Sequence, residues 1–197
     1  MKTMSFIKYP LIAAMTFMLA GCVAPQGSRV SAFDLQKREQ AMAASDRLIV
    51  PGDRMGPVRL GMGMDEVVAT LGQPDYVVES PPHSGVQLWK YDNLNLGIYC
   101  YGGSSAPSVT SIETVAWNNT GKNLGQSTWA DVIPVATVFQ TNNGIQLGAS
   151  SYDIRRAYDG YGYQDTGGYG MNYTQFGVYF GLQSDRRVVV ISVTPRR

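Results

Sequence analysis

Two segments of this chain, 87 positions apart, carry the same pattern, and a repeated unit limits the possible folds more than any local propensity does. Leu60-Gly61 recurs as Leu147-Gly148, and at the same offset Glu66 matches Asp153, Val67 matches Ile154, and Leu71 matches Tyr158. Gly63 and Ser150 are residue types found at helix N-caps, each three positions before an acid that can face the free amides and the dipole of a first turn. The spacing predicts short helices over roughly 63–72 and 150–159. Gly72-Gln73-Pro74 stops the first, since proline has no amide donor and disfavours helix in its predecessor.

Strand-like runs follow the first helix at about Tyr76-Glu79, Gln87-Tyr91, Leu96-Tyr101 and Val109-Trp117, separated by turn residues such as Pro81-Pro82 and Gly102-Gly103. In the second segment Gly177-Val178-Tyr179 answers Gly97-Ile98-Tyr99 at an offset of 80, and Ile191 answers Ile112 at 79. The falling offset is expected of shortened loops between conserved core positions. Pro134 to Phe139 reads as a connecting strand. The expected fold is α+β: two tandem helix-plus-meander units forming one antiparallel sheet with the helices on one face. The units span 51–118 and 119–197.

The chain begins with Lys2 and Lys8, an apolar stretch from Pro10 to Ala20, and Leu19-Ala20-Gly21-Cys22. A basic start, a short apolar run and small residues make the layout of a secretory signal over 1–21, too short to span a bilayer comfortably. The last four residues resemble the lipobox of bacterial lipoproteins, which implies diacylglycerol on the Cys22 thiol and Cys22 as the new N-terminus. Val23, in place of an aspartate, resembles the sorting signal of outer-membrane lipoproteins and implies that membrane, with the protein facing the periplasm. Residues 22–50 then form a lipidated tether and a possible helix, with Ser31 at its N-cap, Asp34 three residues on, and sparse apolar positions that fit a spacer.

Without Lys2 and Lys8, the 16 basic residues fall to 14, against 15 acidic ones. That balance excludes the concentrated positive field nucleic acid needs. The arginine pairs 155–156, 186–187 and 196–197 read as solvated turn and terminal charges. With Cys22 committed to lipid, Cys100 has no cysteine to pair with, and the fold has to stand without an internal disulfide.

The run from Leu60 through Pro74, followed by Trp89-Lys90-Tyr91, resembles the signature of the BamE (SmpA/OmlA) outer-membrane lipoproteins. Its doubling is similar to beta-lactamase inhibitor protein, which is built from two such units side by side. The resemblance implies a non-enzymatic protein-binding scaffold, helping outer-membrane protein assembly or blocking another protein. This chain has two units where BamE has one, so no partner-contacting residue is transferred. It also lacks the disulfide cysteines of the inhibitor.

The residues themselves offer little catalytic chemistry. His83 lies in a turn composition, Pro81-Pro82-His83-Ser84-Gly85, and Cys100 shares strand parity with Leu96 and Ile98, which reads as core packing. No His and Cys spacing suits a metal, and the Asp159 to Gly170 loop lacks the ligand alternation and closing glutamate of a calcium loop. The expectation is no enzyme, no cofactor, no metal and no nucleic acid, with a membrane contact through lipid and an envelope protein as partner. If Leu96, Ile98 and Cys100 face the helices, Tyr99, Tyr101 and Tyr179 point outward. Trp89 and Tyr91, sharing a parity of their own, are placed with that outward set. Tyr161, Tyr163 and Tyr169, in a glycine-rich hairpin loop, complete the expected binding surface, because tyrosine offers large contact area with few rotatable bonds. The alternative function is a structural lipoprotein holding peptidoglycan or glycan by aromatic stacking.

Overall fold

The computed structural model describes residues 30–79, 84–101, 106–116 and 139–197. The signal segment, Cys22, His83, Trp117 and most of the 134–139 run lie outside the described residues. Helix α1 spans Ala32–Ala44 and opens on a capping box, in which the Ser31 hydroxyl accepts from the Asp34 amide while the Asp34 carboxylate reaches back to Ser31. Hydrogen bonding from Ser31 and then from the Gln73 amide holds the Asp34 carboxyl below its ordinary range. Helix α2, Met64–Leu71, buries Met64, Val67 and Leu71, the 3–4 spacing of one helix face. Helix α3, Ser151–Ala157, repeats the capping box with Ser150 and Asp153, and buries Ile154.

Eight antiparallel strands make the large sheet: β4 Tyr76–Glu79, β5 Val86–Tyr91, β6 Leu96–Tyr101, β7 Val109–Val115, β9 Gln164–Asp165, β10 Gly170–Tyr173, β11 Val178–Leu182 and β12 Val188–Val193. Their order is β4-β5-β6-β7-β12-β11-β10-β9, so each group of four runs as a meander and the two meet along β7 and β12. At that seam Ile112 pairs with Val193 and Thr114 with Ile191. A second, four-stranded sheet was not anticipated from the sequence. It is ordered β3-β2-β1-β8, from β1 Leu48–Val50, β2 Arg54–Met55, β3 Val58–Arg59 and β8 Gln140–Thr141, and β1 pairs with β8 in parallel. These strands are two or three residues long, below the length at which alternation can be read.

The chain is thus α+β, with one large antiparallel sheet. Buried residues of all three helices and of the small sheet (Met42, Val67, Ile154, Ile49, Met55) join one cluster with Leu96, Ile98, Ile112, Val178, Phe180 and Ile191 of the large sheet. Cys100 belongs to that cluster, and burial pushes its thiol pKa up, away from the reactive thiolate. Cys100→Ala is expected to lower the unfolding free energy by about 1–2 kcal/mol through the void it leaves, read as a fall in urea midpoint. An unchanged midpoint would show that the surroundings close over it.

Helix α1 is more than a spacer, because Arg38 on its inner side is fully buried. Its guanidinium donates to the carbonyls of Leu71 (3.3 Å) and Gln73 at the end of α2, to Asp75 (3.0 Å) and to Asn93 (2.7 Å). It also stacks over the Tyr91 ring, 4.7 Å from the centroid. A helix C-terminus leaves carbonyls without intrahelical partners, and a cation from a neighbouring helix satisfies them and opposes the dipole. Gly72 makes the approach possible: at φ 75°, it has no Cβ to strike Asp34.

Candidate functional site

Strand register decides which side chains look away from the helices. Leu96 and Ile98 face the core, so the intervening positions of β6 face outward, and pairing carries that parity across the sheet. One row runs Lys90, Gly97, Glu113, Ser192, Tyr179, Asn172, Gln164, crossing both meanders. The next begins Leu88, Tyr99, Ser111. Tyr99 and Tyr179 are each half-buried on this face, on opposite sides of the β7–β12 seam, Tyr101 is half-exposed beyond Tyr99, and Leu88 and Lys90 on the same face are buried. Between the two rings lies a depression of about 490 Å³, lined by Tyr99, Ser111, Glu113, Tyr179, Ser192 and Thr194 among others.

Glycines shape this surface. A Cβ on Gly170 would lie 2.4 Å from the Tyr179 hydroxyl oxygen and 2.5 Å from its Cε2, so the ring crosses strand β10 where no side chain stands in its way. A Cβ on Gly97 would meet Glu113 Cγ at 2.9 Å and Lys90 Nζ at 3.1 Å. That gap lets the ammonium reach over β6 to the carboxylate at 3.2 Å, an ion pair whose side chains are 10% and 13% exposed. Burial first, and then the charge and hydrogen bond of Glu113, push the Tyr99 hydroxyl up to about 12, so it stays a neutral donor at any physiological pH. The face therefore offers rings, hydroxyls and the Lys90–Glu113 ion pair in fixed positions.

Two residues expected on this face are elsewhere. Trp89 pairs with Ile98 and Tyr91 with Leu96, so both point to the helices: Tyr91 is fully buried, donates to the Gly72 carbonyl at 3.1 Å and lies under Arg38, while Trp89 packs against the core. The loop tyrosines also separate from the sheet set. Tyr161 is exposed but meets the Phe176 ring edge-on at 4.7 Å, and Tyr163 packs on Tyr173 at 5.6 Å with Arg155 over its ring. Both extend an aromatic cluster that includes Tyr158, Tyr173 and Phe180 on the core side. Tyr169 is half-exposed in the turn before β10, near Arg186. The arginine pairs have work in the fold: Arg186 donates to the Gly168 carbonyl at 2.6 Å, Arg187 to that of Gly148 at 2.9 Å and Arg196 to that of Pro51 at 3.1 Å. Ser111, Glu113 and Ser192 share this face with the tyrosines but carry no aromatic signal in the sequence. Alternation around the buried Ile112 and Ile191 would have placed them beside Tyr99 and Tyr179.

No family model, no curated protein and no solved structure shows a significant match to this chain.

Proposed function

We propose that the protein is a lipid-anchored component of the bacterial envelope, held at the outer membrane through Cys22 and facing the periplasm, that binds another protein on the open face of its large sheet without catalysing a reaction. On this reading residues 51–118 and 119–197 are two copies of one helix-and-meander unit of the BamE type, doubled as in beta-lactamase inhibitor protein. The observation that carries it is the placement of Tyr99 and Tyr179 on one face of the sheet, on either side of the β7–β12 seam. Matching positions also share their environments: Val67 with Ile154, Ile98 with Val178 and Ile112 with Ile191 are all buried. The match has a limit, since Gly97 lies within β6 whereas Gly177 forms a turn at φ 71°. A broad surface of rings and hydroxyls, rigid because it is built on strands, is suited to recognition and needs no cofactor.

The test is cross-linking in intact cells through a photoreactive residue at position 99, with a control at the buried position 98. The expected result is one stoichiometric protein adduct from position 99 and none from 98. Equal labelling from both, or none, would overturn the docking face. Adducts only to cell-wall material would replace the protein partner with peptidoglycan or glycan. Mass analysis of the N-terminal peptide tests the lipid on Cys22 separately.

A further inference from the structure

We infer that the outer side of helix α1, at Phe33 and Leu35, lies in the surface of the same lipid bilayer that holds Cys22; this rests on the reading of Cys22 as the lipid anchor. The placement of bare apolar groups is the first reason. Of the large hydrophobic side chains exposed among the described residues, only Phe33 (64%), Leu35 (40%) and Val77 carry no hydroxyl, the rest being tyrosines. Two of those three share the first turn of α1. The fold holds this helix by its other side, through the buried Arg38 and Met42. Rolling α1 to cover Phe33 would withdraw Arg38 from Leu71, Gln73, Asp75 and Asn93 together, so the ring stays outside.

The length of chain before α1 says what covers that side. Ser31, the N-cap, lies nine positions after Cys22. A polypeptide extends by at most ~3.6 Å per residue, so the first turn stays within about 30 Å of the anchor point. Such confinement raises the concentration of bilayer surface around Phe33, and a contact too weak to bind a free protein becomes populated. The chemistry fits that surface. Phenylalanine and leucine enter the boundary between headgroups and acyl chains, while a neighbouring lysine keeps its ammonium among the headgroups. Lys37 Nζ stands 5.0 Å from the centroid of the Phe33 ring. Asp34 and Glu39 offset that charge along the helix, so the contact is apolar and needs no anionic lipid. Helix α1 also belongs to the side of the large sheet opposite the open face, since Arg38 lies over the inward-pointing Tyr91. A bilayer against α1 therefore leaves Tyr99 and Tyr179 uncovered for a partner.

The test is electron paramagnetic resonance of the lipidated protein in phosphatidylcholine vesicles, with a nitroxide at Gln36→Cys, exposed one turn from Phe33, or at Gln164→Cys, exposed on the open face. Cys100 is buried and stays unlabelled. Oxygen collects in lipid and a nickel chelate stays in water, so the two relaxation agents together read depth. The label at position 36 is expected to be several-fold less accessible to the chelate than the label at 164, and more accessible to oxygen. Phe33→Ser should restore chelate access at 36, whereas Phe33→Trp should keep it low, because tryptophan also favours the interface. Phe33 is exposed, so neither change disturbs the core. Equal chelate access at the two positions, or no response to Phe33→Ser, would overturn the bilayer contact. Protection in native envelope vesicles but not in phosphatidylcholine would assign this side to a protein and overturn it as well. If the N-terminal peptide carries lipid while position 36 is fully wet, only the contact falls; if Cys22 carries none, the anchor falls with it.

Discussion

Arg38→Ala is expected to lower the unfolding free energy by about 3–5 kcal/mol, the range for removing one member of a buried, hydrogen-bonded charge pair. The guanidinium has no solvent to fall back on, being fully buried, and its loss withdraws a donor from Asp75, from Asn93 and from the carbonyls of Leu71 and Gln73 together. Those groups sit on three pieces of chain, the end of α2, the loop into β4, and the 3-10 turn at Asp92–Leu94. The effect therefore reaches beyond α1. Asp75 retains partial access to water, its side chain being 22% exposed, which favours the lower part of that range. Arg38→Lys should recover only a small share, because an ammonium cannot span carbonyl, carboxylate and amide partners or lie flat on Tyr91. Urea unfolding measures both variants. A fall of less than about 1 kcal/mol for the alanine variant, the scale of an ordinary hydrogen bond, would show that α1 is only loosely attached.

Gly177→Ala is expected to cost about 3 kcal/mol or more, from left-handed backbone strain and a backbone collision acting together. Gly177 has φ 71°, and a Cβ there would lie 2.2 Å from the Thr194 carbonyl oxygen and 2.8 Å from Gly52 Cα. Neither neighbour is a side-chain tip that could swing away. The same turn accepts the Gly52 amide on the Gly177 carbonyl at 3.1 Å, so relief of the collision would also pull the small sheet's β1–β2 turn from the large sheet. Gly160→Ala is the matched control, with φ 79° and nothing within 4 Å of the added carbon. It should show the dihedral cost alone, about 1 kcal/mol. Comparable thermal midpoints for the two variants would mean that the close approach at Gly177 contributes nothing.

The helices and most strands of the large sheet were legible because local chemistry specifies them. Ser150 with Asp153 announces α3, Gly72-Gln73-Pro74 ends α2, and the alternation of Leu96, Ile98 and Cys100 fixes which side of β6 is core. The inward direction of Trp89 and Tyr91 was not legible, because parity within β5 says nothing about its register against β6. That register is set by the 3-10 turn at Asp92–Leu94 and by Asn95 at φ 50°, and a connection one residue different would have turned every side chain of β5 over. Arg38 was hidden for another reason. A single arginine on a mostly polar helix reads as solvated, and its partners lie 33 to 55 positions further along the chain. The open face was half legible: the rings followed from alternation, whereas the carboxylate among them depended on how β7 lies against β6 and β12.

The place of β12 has a bearing on how the molecule forms. The last strand in chain order is flanked by β7 on one side and β11 on the other, in the interior of the large sheet. Until residues 188–193 have been synthesised, β7 keeps a bare hydrogen-bonding edge, and the aliphatic groups beside it lack their cover. Such a chain closes late and through distant contacts, a route that is slow and prone to self-association.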